Sequence, residues 1–117
     1  MKPKSRLRRM YRDDPVTPTA KAEVLTRSRG YCEARAAADC TGHFEHRHHR
    51  QLRRHGDHRA VNLLGVCHRC HGYIHAHPAI SYVMGWLVKG HEDPADIRFV
   101  LGPFIASAVP TITGSEA

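Results

Sequence analysis

The sequence predicts a small α+β domain: two short strands and a helix forming one unit, held by a staple rather than by a large core, with flanking helices. Three observations lead there. The chain has 117 residues of which 41% are apolar, enough for one domain but thin for its core. Residues 44–77 pass from a loosely alternating run through a polar loop into a short apolar run, then into a helix-compatible segment. All four cysteines fall between positions 32 and 70, in two pairs that could meet at one point.

Taken in order, residues 1–16 are basic and broken by proline, with Lys2, Lys4, Arg6, Arg8, Arg9 and Arg12 ahead of Asp13, Asp14 and Pro15. They read as a flexible arm, which either tracks phosphates or keeps the terminus soluble. Residues 17–101 form the single domain, with a core at 30–78 and an extension at 79–101. Thr17, Pro18 and Thr19 supply helix-start chemistry, and a helix over 19–29 follows, with Ala20, Val24 and Leu25 as its apolar stripe and Gly30 as its stop. Phe44 to His49 reads as the first strand, 50–59 as a loop containing Gly56 and Asp57, and Val61 to Val66 as the second strand. Residues 68–77 suit a helix of two turns, closed by Pro78, which lacks the backbone donor to continue it. Beyond, 79–87 predicts a helix with Ile80, Val83, Met84 and Leu87 on one side, although Gly85 weakens its regularity. Residues 97–101 resemble a strand or an extended packing segment, and 102–117 a flexible tail.

Lys and Arg number 18 against 11 Asp and Glu, a net charge of +7 with histidine neutral. Residues 1–78 hold 16 basic and 7 acidic side chains, whereas 79–117 hold 2 and 4, so a +9 portion is followed by a −2 tail. Ten of the eleven histidines lie between His43 and His77. Such asymmetry fits a polyanion-binding part and a structural remainder, or simply a solvated surface. No stretch approaches the ~18 apolar residues of a membrane span. The basic N-terminus has no apolar segment behind it, so a secretory signal is not expected and a cytoplasmic location is. Secreted disulfide scaffolds and long coiled coils are excluded with them.

Cys67 and Cys70 form a Cys-x-x-Cys turn, which presents two thiolates at one point, as a tetrahedral zinc requires. Cys32 and Cys40, with seven residues between them, would complete a four-cysteine site. Disulfides are the alternative, but they need an oxidising compartment that the sequence gives no sign of entering. Cys67, His68, Arg69, Cys70 and His71 also match a c-type haem attachment pattern, which would leave the other cysteine pair unexplained. Zinc would account for a fold with few apolar residues, because its binding free energy becomes folding free energy.

His71 and His75 are four apart in the predicted helix, so both project from one face and suit a single metal ion. His48 and His49 are adjacent on a predicted strand and point to opposite sides. One of them as a ligand and the other as a base, with His71 and His75 completing the shell, would suffice for metal-assisted phosphodiester hydrolysis. The bland alternative is a set of surface histidines. Arg47, Arg50, Arg53, Arg54 and Arg59 surround the loop, and their planar donors match phosphate oxygens along a nucleic-acid backbone.

The order Gly30, Tyr31, Cys32, Glu33; His48, His49; Asn62, Leu63; Cys67, His68, Arg69, Cys70, His71; and His75 resembles the HNH endonucleases, specifically small phage-type members. The resemblance covers about residues 25–78 and extends to Pro78 and Gly85, Trp86, Leu87 and Val88. It implies a ββα-metal finger, a hairpin packed on a helix. It further implies that His49 is the general base activating water, that His48 is a metal ligand, and that Asn62 fixes the hairpin loop and orients the base. His71 would be the last motif histidine and a ligand, His75 an additional ligand as in the colicin-like branch, and Cys32, Cys40, Cys67 and Cys70 the holders of structural Zn2+. The expected activity is DNA phosphodiester hydrolysis with Mg2+ or Mn2+, a histidine shell also suiting Ni2+ or Zn2+. The expected partners are DNA and, as for many phage members, the DNA-packaging terminase. The rival expectation is a zinc-stabilised DNA-binding module without catalysis.

Overall fold

The computed structural model describes residues 15–51 and 57–104. Its elements run α1 (Pro18–Ser28), β1 (His46–His49), a 3-10 turn (Ala60–Asn62), β2 (Leu63–Val66), α2 (His68–Ala76), α3 (Pro78–Met84) and a 3-10 turn (Pro94–Asp96). Residues 1–14 of the predicted arm and 105–117 of the predicted tail lie outside the described residues, as do Arg53 and Arg54.

Helix α1 starts where its sequence predicts. The Thr17 hydroxyl accepts the Ala20 N–H at 3.1 Å, and Pro18 stands in the first turn, where a missing donor is harmless. It stops at Arg29 and Gly30, both in the left-handed region with φ of 57° and 80°. Ala20 and Val24 are buried, but Leu25 is 56% exposed, so the apolar stripe is narrower than expected. Val16, assigned to the arm, is buried with them.

Strands β1 and β2 pair antiparallel with His46 opposite Val66, Arg47 opposite Gly65, His48 opposite Leu64 and His49 opposite Leu63. β2 is buried along its whole length because both faces of the hairpin are covered. Leu63 joins Ala20 and Val24 on the α1 side, while Leu64 and Val66 join Ile74 and Trp86 on the α2 side. Arg27 fastens α1 to this hairpin: it pairs with both Glu33 oxygens at 2.7 and 2.8 Å and donates to the Ala60 and Leu63 carbonyls. Glu33 in turn accepts the Gly65 N–H at 2.9 Å.

Both strands are shorter than predicted. Phe44 precedes β1, and its ring lies against Gly65, where a Cβ would collide with it. Val61 and Asn62 belong to the 3-10 turn, because the Asn62 N–H turns back to the Arg59 carbonyl at 2.9 Å instead of crossing to β1. Helix α3 differs more. Ile80 is 40% and Val83 78% exposed, and the buried residue is Ser81, whose hydroxyl reaches the His77 and Ile74 carbonyls at 2.7 and 3.2 Å. The core position goes instead to Trp86, beyond a left-handed Gly85 on which the Arg98 carbonyl closes so tightly that a Cβ would not fit. Residues 97–101 form the extended packing segment rather than a strand: Val100 donates to the Met84 carbonyl at 2.9 Å and accepts the Trp86 indole N–H at 2.8 Å. Gly102 and Phe104 continue it onto the carbonyls of Ala34 and Arg35. Among the described residues no helix is long and apolar enough to cross a membrane.

Candidate metal centres

The first centre joins two loops distant in sequence. Cys32 and Cys40 bracket a turn in which Arg35 takes φ of 50°, and Cys67 and Cys70 straddle the start of α2. Their four sulfurs lie within 4.8 Å of one another and could hold a metal ion. Cys32, Cys67 and Cys70 are buried, Cys40 half-buried, and none is in a disulfide. The Cys67 and Cys40 sulfurs are 3.8 Å apart. A tetrahedron with Zn–S arms of ~2.3 Å has edges of ~3.8 Å, so this separation is compatible with structural zinc.

Backbone donors surround the sulfurs. The Ala36 and Ala37 N–H groups point at Cys70 Sγ at 3.2 and 3.5 Å, Arg35 N–H at Cys32 Sγ at 3.5 Å, and Cys70 N–H at Cys67 Sγ at 3.3 Å. A hydrogen bond from the Cys70 thiol, helped by backbone donors against burial, holds Cys32 down to about 5. Cys40 is pushed up to about 12 by burial and then by the charge on Cys32, and Cys70 is also raised, first by its bond to Cys32. Ionisation of Cys32 therefore works against that of Cys40 and Cys70. A cation among the sulfurs would offset that opposition.

The second centre lies between β1 and α2. Alternation on β1 turns His48 inward, 1% exposed, while α2 brings His71 and His75 to the same place one turn apart. One ring nitrogen from each lies within 4.8 Å of the others. His48 Nε2 faces the Trp86 carbonyl at 2.8 Å, which orients its ring and leaves Nδ1 as the nitrogen an ion could use. Burial, reinforced by the neighbouring imidazoles and opposed by that carbonyl, holds His48 at about 4; burial, then His75 and His46, also lowers His71. Both are therefore neutral at pH 7, the state a metal ligand needs. His46, which sequence reasoning left without a role, stands 3.0 Å from His71.

His49 is half-buried, with its Nε2 3.1 Å from His58 Nδ1. His58 was also unassigned, and its position across the loop leaves no spacing signal. Asn62 is fully buried and grips both ends of the 52–56 segment, accepting the Gln51 N–H at 2.9 Å and donating to the Asp57 carbonyl at 2.8 Å.

The arginines divide. Arg47 is exposed beside Lys21 along a groove lined by Leu25 and Phe44. Arg59 is exposed but clamped by Asp57 and Asp93, each at 2.8 Å. Arg50, expected on a nucleic-acid backbone, is instead 3% exposed and donates to the carbonyls of Gly85, Val61, Pro94 and Ile97. Its charge is spent inside the fold, so it is no phosphate ligand. Comparison of the chain with protein-family models, with curated proteins and with solved structures finds no match.

Proposed function

We propose that this chain is a metal-dependent DNA endonuclease of the HNH type, with structural zinc on the four cysteines. One observation carries the reading: ligand nitrogens of His48, His71 and His75 converge within 4.8 Å, and the next residue of the strand is another histidine. His48, His71 and His75 would hold a divalent ion, which would supply positive charge where phosphodiester cleavage develops negative charge. The resemblance implies Mg2+ or Mn2+, and three nitrogen donors also suit Ni2+ or Zn2+.

His49 takes a proton from the attacking water, a task that suits imidazole near neutral pH. His58, across its Nε2, holds the ring, and Asn62 keeps the intervening loop closed so that the two stay together. Arg47 contacts the DNA backbone without reading sequence, a contact that weakens with salt. Phage origin and a terminase partner come from the resemblance to small phage-type HNH proteins.

Plasmid cleavage with Mg2+, Mn2+ or Ni2+, with and without a terminase, tests the reading. Wild type should cleave, and His49→Ala should be slower by about 10²–10⁴-fold, the usual worth of a general base. Equal cleavage by both removes His49 from its role. A folded, zinc-loaded wild type that binds DNA but cleaves it under none of these conditions is the zinc-stabilised binding module instead.

A further inference from the structure

The proposed reading uses three histidines from a cluster of four. His46 lies two residues before His48 on β1, so both rings leave the same face of the hairpin. Its Nδ1 is 3.0 Å from His71 Nδ1, with ring centroids 5.2 Å apart and planes at 76°. That distance is a hydrogen bond, and between two neutral imidazoles it carries one proton. If His46 donated it, His71 would accept on Nδ1 and carry its own proton on Nε2, leaving neither nitrogen to bind an ion. If His71 donates, its Nε2 keeps the lone pair. His48 has the complementary arrangement, since the Trp86 carbonyl can only accept and therefore takes the proton of Nε2.

We propose that His46 is a positioning residue for the histidine metal centre: its Nδ1 accepts the Nδ1–H of His71, fixing the tautomer whose Nε2 faces the ion. The inference rests on the reading of His48, His71 and His75 as ligands. An acceptor behind a ligating imidazole both aims the ring and raises its basicity, and loss of such a partner weakens metal binding by about 10–100-fold. His46 is exposed and packs into neither core cluster, so its removal should leave the fold intact.

Full-length, zinc-loaded protein is titrated with Ni2+ by calorimetry and with Co2+ by absorption, whose visible bands report the ligand set. Wild type should take up one further ion. His46→Ala should bind it about 10–100-fold more weakly, with thermal unfolding before the addition unchanged. His46→Asn, whose Oδ1 can stand where Nδ1 stood and accept the same N–H, should recover most of the affinity. A His46→Ala protein binding as tightly as wild type overturns the proposal, and so does His46→Asn falling as far as alanine. If His75→Ala loses the ion while His46→Ala keeps it, the metal centre stands and only the role of His46 is removed. A wild type taking up no second ion overturns both readings.

Discussion

The cysteine and histidine centres share one helix and are built in opposite ways. Cys67 and Cys70 occupy the start of α2, and His71 and His75 follow within the next five positions. The cysteine cluster has three buried members, receives four backbone N–H groups and supplies a full set of four ligands. An ion there is closed off from any substrate. The histidine cluster grades from buried His48 through half-buried His71 to exposed His75 and supplies only three ligands. An ion there keeps a side open to solvent. A closed shell stabilises, whereas an open one can react, and the first sets the helix that aims the second.

The largest expected effect breaks the cysteine side of this contrast. Cys67 is a proposed ligand and also caps α2, accepting the Cys70 N–H on its sulfur. Cys67→Ala, or a strong chelator added to wild type, should unfold the domain, since zinc contributes about 10–16 kcal/mol in small zinc-finger domains. Circular dichroism with metal analysis checks this. Unchanged helix content after complete zinc removal would place the stability elsewhere and dissolve the contrast.

Next in size is Arg50, which joins the histidine centre to the extension. It donates to the Gly85 carbonyl at 2.7 Å, and the adjoining Trp86 carbonyl orients His48. Arg50→Leu should cost about 2–4 kcal/mol, because each buried carbonyl left unsatisfied costs about 1–3 kcal/mol and water recovers part. Urea unfolding measures that loss, and Ni2+ affinity should fall with it as His48 loosens. Arg47→Ala, by contrast, should leave stability unchanged and reduce the salt slope of DNA binding by about one.

The histidine and cysteine clusters were legible in the sequence because their geometry follows from short spacings. Two residues between cysteines make a turn, three between histidines make one helix face, and the pairing of His48 with His71 and His75 needs only a hairpin beside that helix. The same rule of two could have found His46, since strand alternation sets it on the face of His48. Arg50 was misread because charge is visible in a sequence and burial is not. Its carbonyl partners lie up to 47 positions away, in an extension with no pattern to announce them. Ile80 and Val83 failed for the converse reason: an apolar helix face implies a partner, but only its Met84 and Leu87 pack against the core beside Trp86, and the other two stay outside.

The smallest effects sharpen the contrast within the histidine centre itself. His48→Ala and His75→Ala should both abolish uptake of the second ion, because each removes one of three ligands. They should differ in everything else. Removing the His48 ring opens a cavity between β1 and α2 and orphans the Trp86 carbonyl, at a cost of about 1–3 kcal/mol. Removing the exposed His75 ring should change stability by no more than about 0.5 kcal/mol. Ni2+ calorimetry and urea unfolding on the two variants separate the outcomes. Equal destabilisation would mean that His75 also serves the fold, and the exposed side of the centre would lose its distinction from the buried one. A stable His75→Ala that no longer binds the ion keeps metal binding apart from folding at the histidines, the separation that the cysteine site does not allow.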